Sequence, residues 1–239
     1  VTLAVLFTPP ALAQMRSGRV DHPVMPIAEF DAGRVAELKA KVDPLLAHGR
    51  DFIVGLVPER NGIANCGCPN CNQGSADTQI VWDGVANPDG AHCRFCNHRY
   101  PSEQYPMDKV LSFTNRRGEP EQWEYYEAAD GTRYFFSARA RYWRKWYVAQ
   151  LLQDISDLYA ATGEDRYADA AAELLYRISQ CYAGWVVVSP DAPRPDAAPP
   201  YSEGLSIWHH WYYRDVEPSV AHAYDRLYQS GALERLSER

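Results

Sequence analysis

A mainly α fold with a small β part is predicted by three features of the sequence. Two cysteine pairs, Cys68/Cys71 and Cys93/Cys96, lie near the front of the chain. Residues 109–137 alternate with period two and turn at Asp130-Gly131, the pattern of a β-meander. After Ser137 the apolar period changes to 3.6, and helical stretches follow one another with short turns between them. The expected order is a lead-in over residues 14–60, a knuckle and meander module over 61–137, and paired helices over 138–239.

The elements follow from local signals. Residues 14–30 contain Pro, Gly and Arg and read as an extended lead-in. Asp31 is placed to cap a helix over 31–47, with Val35, Leu38, Val42, Leu45 and Leu46 on one face. Residues 51–57 form a short apolar run ended by Pro58, read as a link into the knuckle. Residues 80–82 read as a strand between the cysteine pairs. The meander runs through 110–114, a turn at 115–118, 122–126, the Asp-Gly turn, and 133–136.

Trp143, Tyr147, Leu151, Ile155 and Leu158 make an i, i+4 stripe, widened by Trp146 and Leu152. Gly163 ends that helix. A second runs over 165–182, with Tyr167, Ala171, Leu174, Leu175 and Ile178 inward, and the short turn makes the two antiparallel. A Pro-rich, irregular loop is expected over 189–200. A third helix runs from near Pro218 to Tyr228, since Pro suits a first helical turn. Helix pairs in series describe a helical solenoid or an α/α toroid, and no strict repeat period distinguishes them.

Residues 1–14 read as the back half of a secretory signal peptide. An apolar run and two prolines precede Ala11-Leu12-Ala13, with cleavage expected after Ala13; residues 1–13 are then a signal remnant. A buried N-terminal strand is the plainer alternative. The protein is therefore expected to be exported, periplasmic or secreted, and no membrane span is expected, because the stretch is too short to cross a bilayer. A helical pattern that begins at Gly231 reaches the last residue, Arg239, so the chain reads as the N-terminal portion of a longer protein.

With 46% hydrophobic residues the chain can build a core, and its net charge of −7 argues against nucleic acid, which needs a basic face. Seven Trp and sixteen Tyr suit stacking on sugar rings, and equally a Tyr-rich helical core.

The most specific chemistry is in the cysteines. Each C-x2-C turn aims two sulfurs at a common point, so Cys68, Cys71, Cys93 and Cys96 fit a closed, tetrahedral, structural zinc site with no open position for water. Disulfides are the rival in an exported protein. A redox pair fits less well, because such motifs open a helix in a βαβ setting. Cys66 offers an alternative to Cys68 through a C-x4-C spacing, and His92 and His98 flank the second pair as more distant ligand candidates. Cys181 reads as a buried small hydrophobe.

Two further groups have paired readings. Trp208, His209, His210, Trp211, Tyr212, Tyr213 and Arg214 form either a sugar-binding wall or a packed turn entering the third helix, the second being the plainer. Arg139, Arg141, Arg144 and Lys145 either line an anionic polysaccharide groove or form a solvated face. Asp154, Asp157, Glu164 and Asp165 read as surface acids, with no pair placed for glycoside hydrolysis.

In combination, CGCPNC, VWDG, CRFCNHRYPSEQYPMDKV, RYFFSARARYW and LLQDISDLYAATGEDRYADAAAELL, spread over about residues 50–230, resemble the heparinase II/III-like family of polysaccharide lyases. The resemblance implies a signal peptide, a small N-terminal region, an incomplete α/α toroid and a C-terminal β-sandwich. It also implies β-elimination on an acidic, uronic-acid-containing polysaccharide. A Tyr or His base removes the proton α to the carboxylate, and Asn, His or Arg stabilises the developing charge. No Asn-His signature is present in the helical part, so no catalytic residue is carried over. A glycoside hydrolase on the same toroid and a non-enzymatic carbohydrate-binding scaffold remain alternatives.

Overall fold

A computed structural model describes residues 21–27, 29–71, 73–114, 119–182, 184–188, 202–205 and 216–238. The signal remnant, the turn at 115–118, the Pro-rich loop at 189–200 and the aromatic run at 208–214 lie outside these residues. The architecture is mainly helical with small antiparallel sheets, as the two periodicities predict.

Helix α1 spans Ala32–Leu46, and Asp31 caps it by accepting the Arg34 backbone N–H at 2.7 Å. Leu38, Val42 and Leu45 are its buried face. Helix α2, Arg50–Gly55, replaces the expected link: Gly49 at φ 88° redirects the chain, and Ile53 is driven into the core.

Strands β1 (Ile80–Trp82), β2 (Ala91–Cys93) and β3 (Arg99–Tyr100) form one antiparallel sheet in that order. Only β1 is anticipated from the sequence. The other two are too short to carry an alternating pattern, and β2 owes its place to the register Ile80↔Cys93 and Trp82↔Ala91. Strands β4 (Lys109–Thr114), β5 (Pro120–Glu127) and β6 (Arg133–Tyr134) are the expected meander. Trp123 and Tyr125 point inward while Gln122 and Glu124 point out.

The third meander strand ends earlier than expected. Phe135 and Phe136 serve different cores: Phe135 packs with Ile63, Trp123 and Tyr125, and Phe136 stacks on Tyr100 with ring centroids 4.1 Å apart. The backbone turns there into helix α3, Phe136–Thr162. Gly163, in the left-handed conformation at φ 68°, closes α3, and helix α4 follows over Asp165–Tyr182.

Leu151, Leu152, Ile155 and Leu158 of α3 pack in one core with Tyr167, Ala171, Leu174 and Ile178 of α4 and with α1. Each buried Leu or Ile among them contributes about 1.5–3 kcal/mol by leaving water. Cys181 lies in the same core, as expected of a small hydrophobe. Strands β7 (Val186–Val188) and β8 (Ser202–Leu205) pair antiparallel, and helices α5 (Val216–Leu227) and α6 (Ala232–Ser237) follow. Pro218 falls in the first turn of α5, as read from the sequence.

Helix α3 is covered on more than one side. Its first turns lie against the small sheets, and its later turns lie among α1, α4 and α5. This corrects the reading of Asp154 as a surface acid. Asp154 is 3% exposed and forms an ion pair with Lys41 of α1, while Asp157 faces α5, 2.7 Å from His222 Nε2 and 3.0 Å from Arg226 Nε. No helix among the described residues is long and apolar enough to cross a membrane.

Candidate metal centre

The two C-x2-C turns converge. The sulfurs of Cys68, Cys71, Cys93 and Cys96 all lie within 4.8 Å of one another. Three of the separations, Cys68–Cys71, Cys68–Cys96 and Cys71–Cys93, are 3.7 Å. A tetrahedron with metal–sulfur bonds of about 2.3 Å has edges of about 3.8 Å, so the cluster has the dimensions of a four-thiolate cage. A disulfide would bring sulfurs to about 2.05 Å. Cys66 lies outside the group. Its thiol is buried and donates to the Gly67 carbonyl at 3.8 Å, away from the other four sulfurs, so Cys68 and not Cys66 belongs to the cluster.

The backbone builds both turns deliberately. Gln79, buried just before β1, accepts the Cys68 N–H at 2.9 Å and donates its Nε2 to the Gln73 carbonyl at 2.7 Å. The second turn closes by Asn97 N–H to Cys93 O at 2.8 Å and Cys93 N–H to His98 O at 2.9 Å. Asn97 takes the left-handed conformation, φ 58°, that Asn tolerates. The Arg94 N–H reaches Gln79 O at 2.9 Å, tying the two knuckles together.

Side chains around the sulfurs favour thiolates. Tyr100 Oη is 2.9 Å from Cys68 Sγ, and Asn70 Nδ2 donates to Cys96 Sγ at 3.5 Å. Tyr105 Oη in turn donates to Asn70 Oδ1 at 3.3 Å. Burial, helped by the Cys68 sulfur, holds the Tyr100 hydroxyl protonated well above its ordinary range. Burial pushes the Cys68 thiol up to about 12 despite Tyr100 and the Asn70 and Cys71 N–H groups. At Cys96 burial acts in the same direction but is outweighed by Asn70, the His98 N–H and the neighbouring thiols, which bring it down to about 6. Four thiols so close cannot all ionise unless a cation sits among them, and a divalent metal supplies that charge.

The more distant ligand candidates are engaged elsewhere. His92 Nδ1 is 2.6 Å from Asp83 Oδ1, and His98 Nε2 is 3.1 Å from Ser102 Oγ. Tyr100, Asn70 and Gln79 are the site residues that the cysteine pattern alone does not single out. Their sequence signal is position: Asn70 lies between two of the clustered cysteines and Tyr100 four residues after the last one.

The basic residues of α3 take another role from either one read in the sequence. Arg139 is 1% exposed, donates Nε to Ile80 O at 3.1 Å, and donates its two terminal nitrogens to the Ala64 and Asp77 carbonyls. Its guanidinium joins α3 to the knuckle sheet instead of facing a groove or solvent. Arg144 donates Nε to Leu56 O at 2.9 Å, and Lys145 is buried with its Nζ 5.5 Å from the Tyr142 ring. Arg141 of this group lines a small cleft. The aromatic candidates Trp208, His209, His210, Trp211 and Tyr212 lie outside the described residues. No family model, curated protein or solved structure matches the chain.

Proposed function

We propose that Cys68, Cys71, Cys93 and Cys96 hold a structural zinc ion, and that the chain is the N-terminal part of an exported polysaccharide lyase. The observation that carries the zinc reading is the set of 3.7 Å sulfur separations, which match a tetrahedral thiolate cage. A filled set of four sulfurs leaves no position for water, so the zinc staples the module and takes no part in the reaction. Staples of this kind suit a unit of short strands whose core is small.

The lyase reading rests on the order of the motifs: signal remnant, knuckle, meander, long helical hairpin. On that reading the helix pairs begin an α/α toroid that binds an acidic polysaccharide, and the residues for β-elimination come from a segment following Arg239. A base would take the proton α to a uronate carboxylate, and a second group would protonate the leaving glycosidic oxygen.

The test compares the 239-residue chain with a chain extended beyond Arg239 on uronic-acid polymers. Unsaturated, ultraviolet-absorbing products are expected from the extended chain alone. Saturated reducing ends would replace the lyase with a glycoside hydrolase, and binding without products would replace it with a scaffold.

A further inference from the structure

A small cleft of about 220 Å³ opens between the outward face of the meander and the start of α3, lined by Arg60, Val110, Gln122, Glu124, Ser137 and Arg141. Two arginines border one enclosed space. Arg60 gives one Nη1 donor to Gln122 O at 2.9 Å, and Arg141 gives Nε to Asn61 O at 3.4 Å while its guanidinium lies over Trp123, 5.5 Å from the ring centre. A guanidinium carries five N–H donors, so among the described residues most of both forks have no acceptor. The acids nearby are Glu124, which lines the cleft, and Glu121, which accepts from Trp123 Nε1 at 2.8 Å; Arg144, on the next turn of α3, is paired with Asp89 at 3.2 Å. Glu124 and Glu121 thus offset the two cleft arginines in charge, and what the space offers an anion is the unused guanidinium donors.

We infer that this cleft is a binding site for one anionic group of a sugar, the carboxylate of a uronate or a sulfate. Paired, forked donors at a shared space match a planar carboxylate or a tetrahedral sulfate better than a lone lysine would. The volume falls below the about 300 Å³ at which sites for drug-sized ligands begin, so it takes one ring or one charged group. Burial, and then the facing Arg60 charge, lower Arg141 to about 10, and an anion between the two guanidiniums relieves both effects. Glu124 faces the same space and opposes the anion. The site stands on this geometry; the choice of uronate as the natural ligand rests on the lyase reading.

Calorimetric or NMR titration of the folded 239-residue chain with D-glucuronate, inorganic sulfate and neutral glucose tests it. Saturable binding of glucuronate or sulfate, and none of glucose, is expected. Arg60→Gln, at an exposed position, should weaken that binding by about tenfold or more, the loss of a charge-assisted hydrogen bond. Glu124→Gln should strengthen it by about threefold, by removing one repulsive charge. Arg141→Lys keeps a charge over Trp123 and should still weaken binding, because one point donor replaces a fork. Tighter binding of glucuronate than of sulfate assigns the carboxylate as the group recognised, and the reverse assigns the sulfate ester. Absence of saturable binding, or binding that Arg60→Gln and Glu124→Gln leave unchanged, overturns the site. Glucuronate binding by a chain whose extended form makes no unsaturated product keeps the cleft and overturns the lyase reading.

Discussion

Arg139 on α3 donates its Nε to the carbonyl oxygen of Ile80 on β1 at 3.1 Å, and Trp143, one turn later, gives its Nε1 to the same oxygen at 2.9 Å. This one carbonyl, with those of Ala64 and Asp77, fixes the knuckle sheet on the long helix. A buried charge held by three carbonyls costs desolvation, and breaking the set leaves acceptors without partners. Arg139→Met is therefore expected to lower stability by about 3 kcal/mol or more. Arg139→Lys should recover little, since an ammonium cannot span three separated oxygens. Urea denaturation of the two variants checks this; a loss under 1 kcal/mol for Met would contradict it.

Tyr100 and Cys68 form the matching contact on the metal side, 2.9 Å from oxygen to sulfur. Tyr100→Phe keeps the ring that stacks on Phe136 and removes only the hydroxyl. Partners just outside a metal's ligands tune affinity about 10–100-fold, so zinc affinity should fall within that range while the secondary structure is unchanged. Competition with a chromophoric chelator reads it. An unchanged affinity would remove Tyr100 from the site.

Gly62 approaches α3 so closely that a Cβ would lie 2.1 Å from Ala138 O and 2.3 Å from Tyr142 N, both backbone atoms. The Ile63 N–H donates to the same Ala138 O at 3.2 Å, which sets the approach. Backbone cannot move aside as a side-chain tip can, so Gly62→Ala should cost about 1–3 kcal/mol or more. Thermal unfolding measures it, with Gly55→Ala, which meets nothing within 4 Å, as the comparison.

Asp225 on α5 holds residues 22–25 across the helix, accepting the Val24 and Met25 N–H groups at 2.8 Å each and lying 2.6 Å from His22 Nδ1. Burial raises this carboxyl, but the two N–H groups and His22 outweigh it and hold it below the usual carboxylate range. A depressed folded value means the contact stabilises above the unfolded pKa of about 3.9 and is lost as pH falls through the folded value. Amide exchange at Val24 and Met25 should thus speed up, relative to core amides, only below about pH 4. Asp225→Asn should abolish that acid step; its persistence would contradict the assignment.

Much of the helical part is legible in the sequence, because its signals are local: Asp31 as a cap, Gly163 as a stop, and the apolar period between them. The four clustered cysteines are legible for the same reason, each pair being set by a three-residue spacing. What the sequence hides is tertiary. Strands of two or three residues carry no period, so β2 and β3 follow from pairing with β1. The α3 arginines look like a charged face until the small sheets are packed on them, and Asp154 looks like a surface acid until α1 brings Lys41 beside it. A period reports which side faces a core, and it says least for a helix covered on several sides.

Metal content and thiol state of the folded chain, measured together by native mass spectrometry before and after thiol labelling, decide whether the four cysteines hold zinc. One zinc per chain is expected, with thiols at Cys68, Cys71, Cys93 and Cys96 protected until the metal is removed, and with that zinc lost in Cys93→Ser. A metal-free chain four mass units lighter than its reduced form, with those cysteines joined as two disulfides, would contradict it.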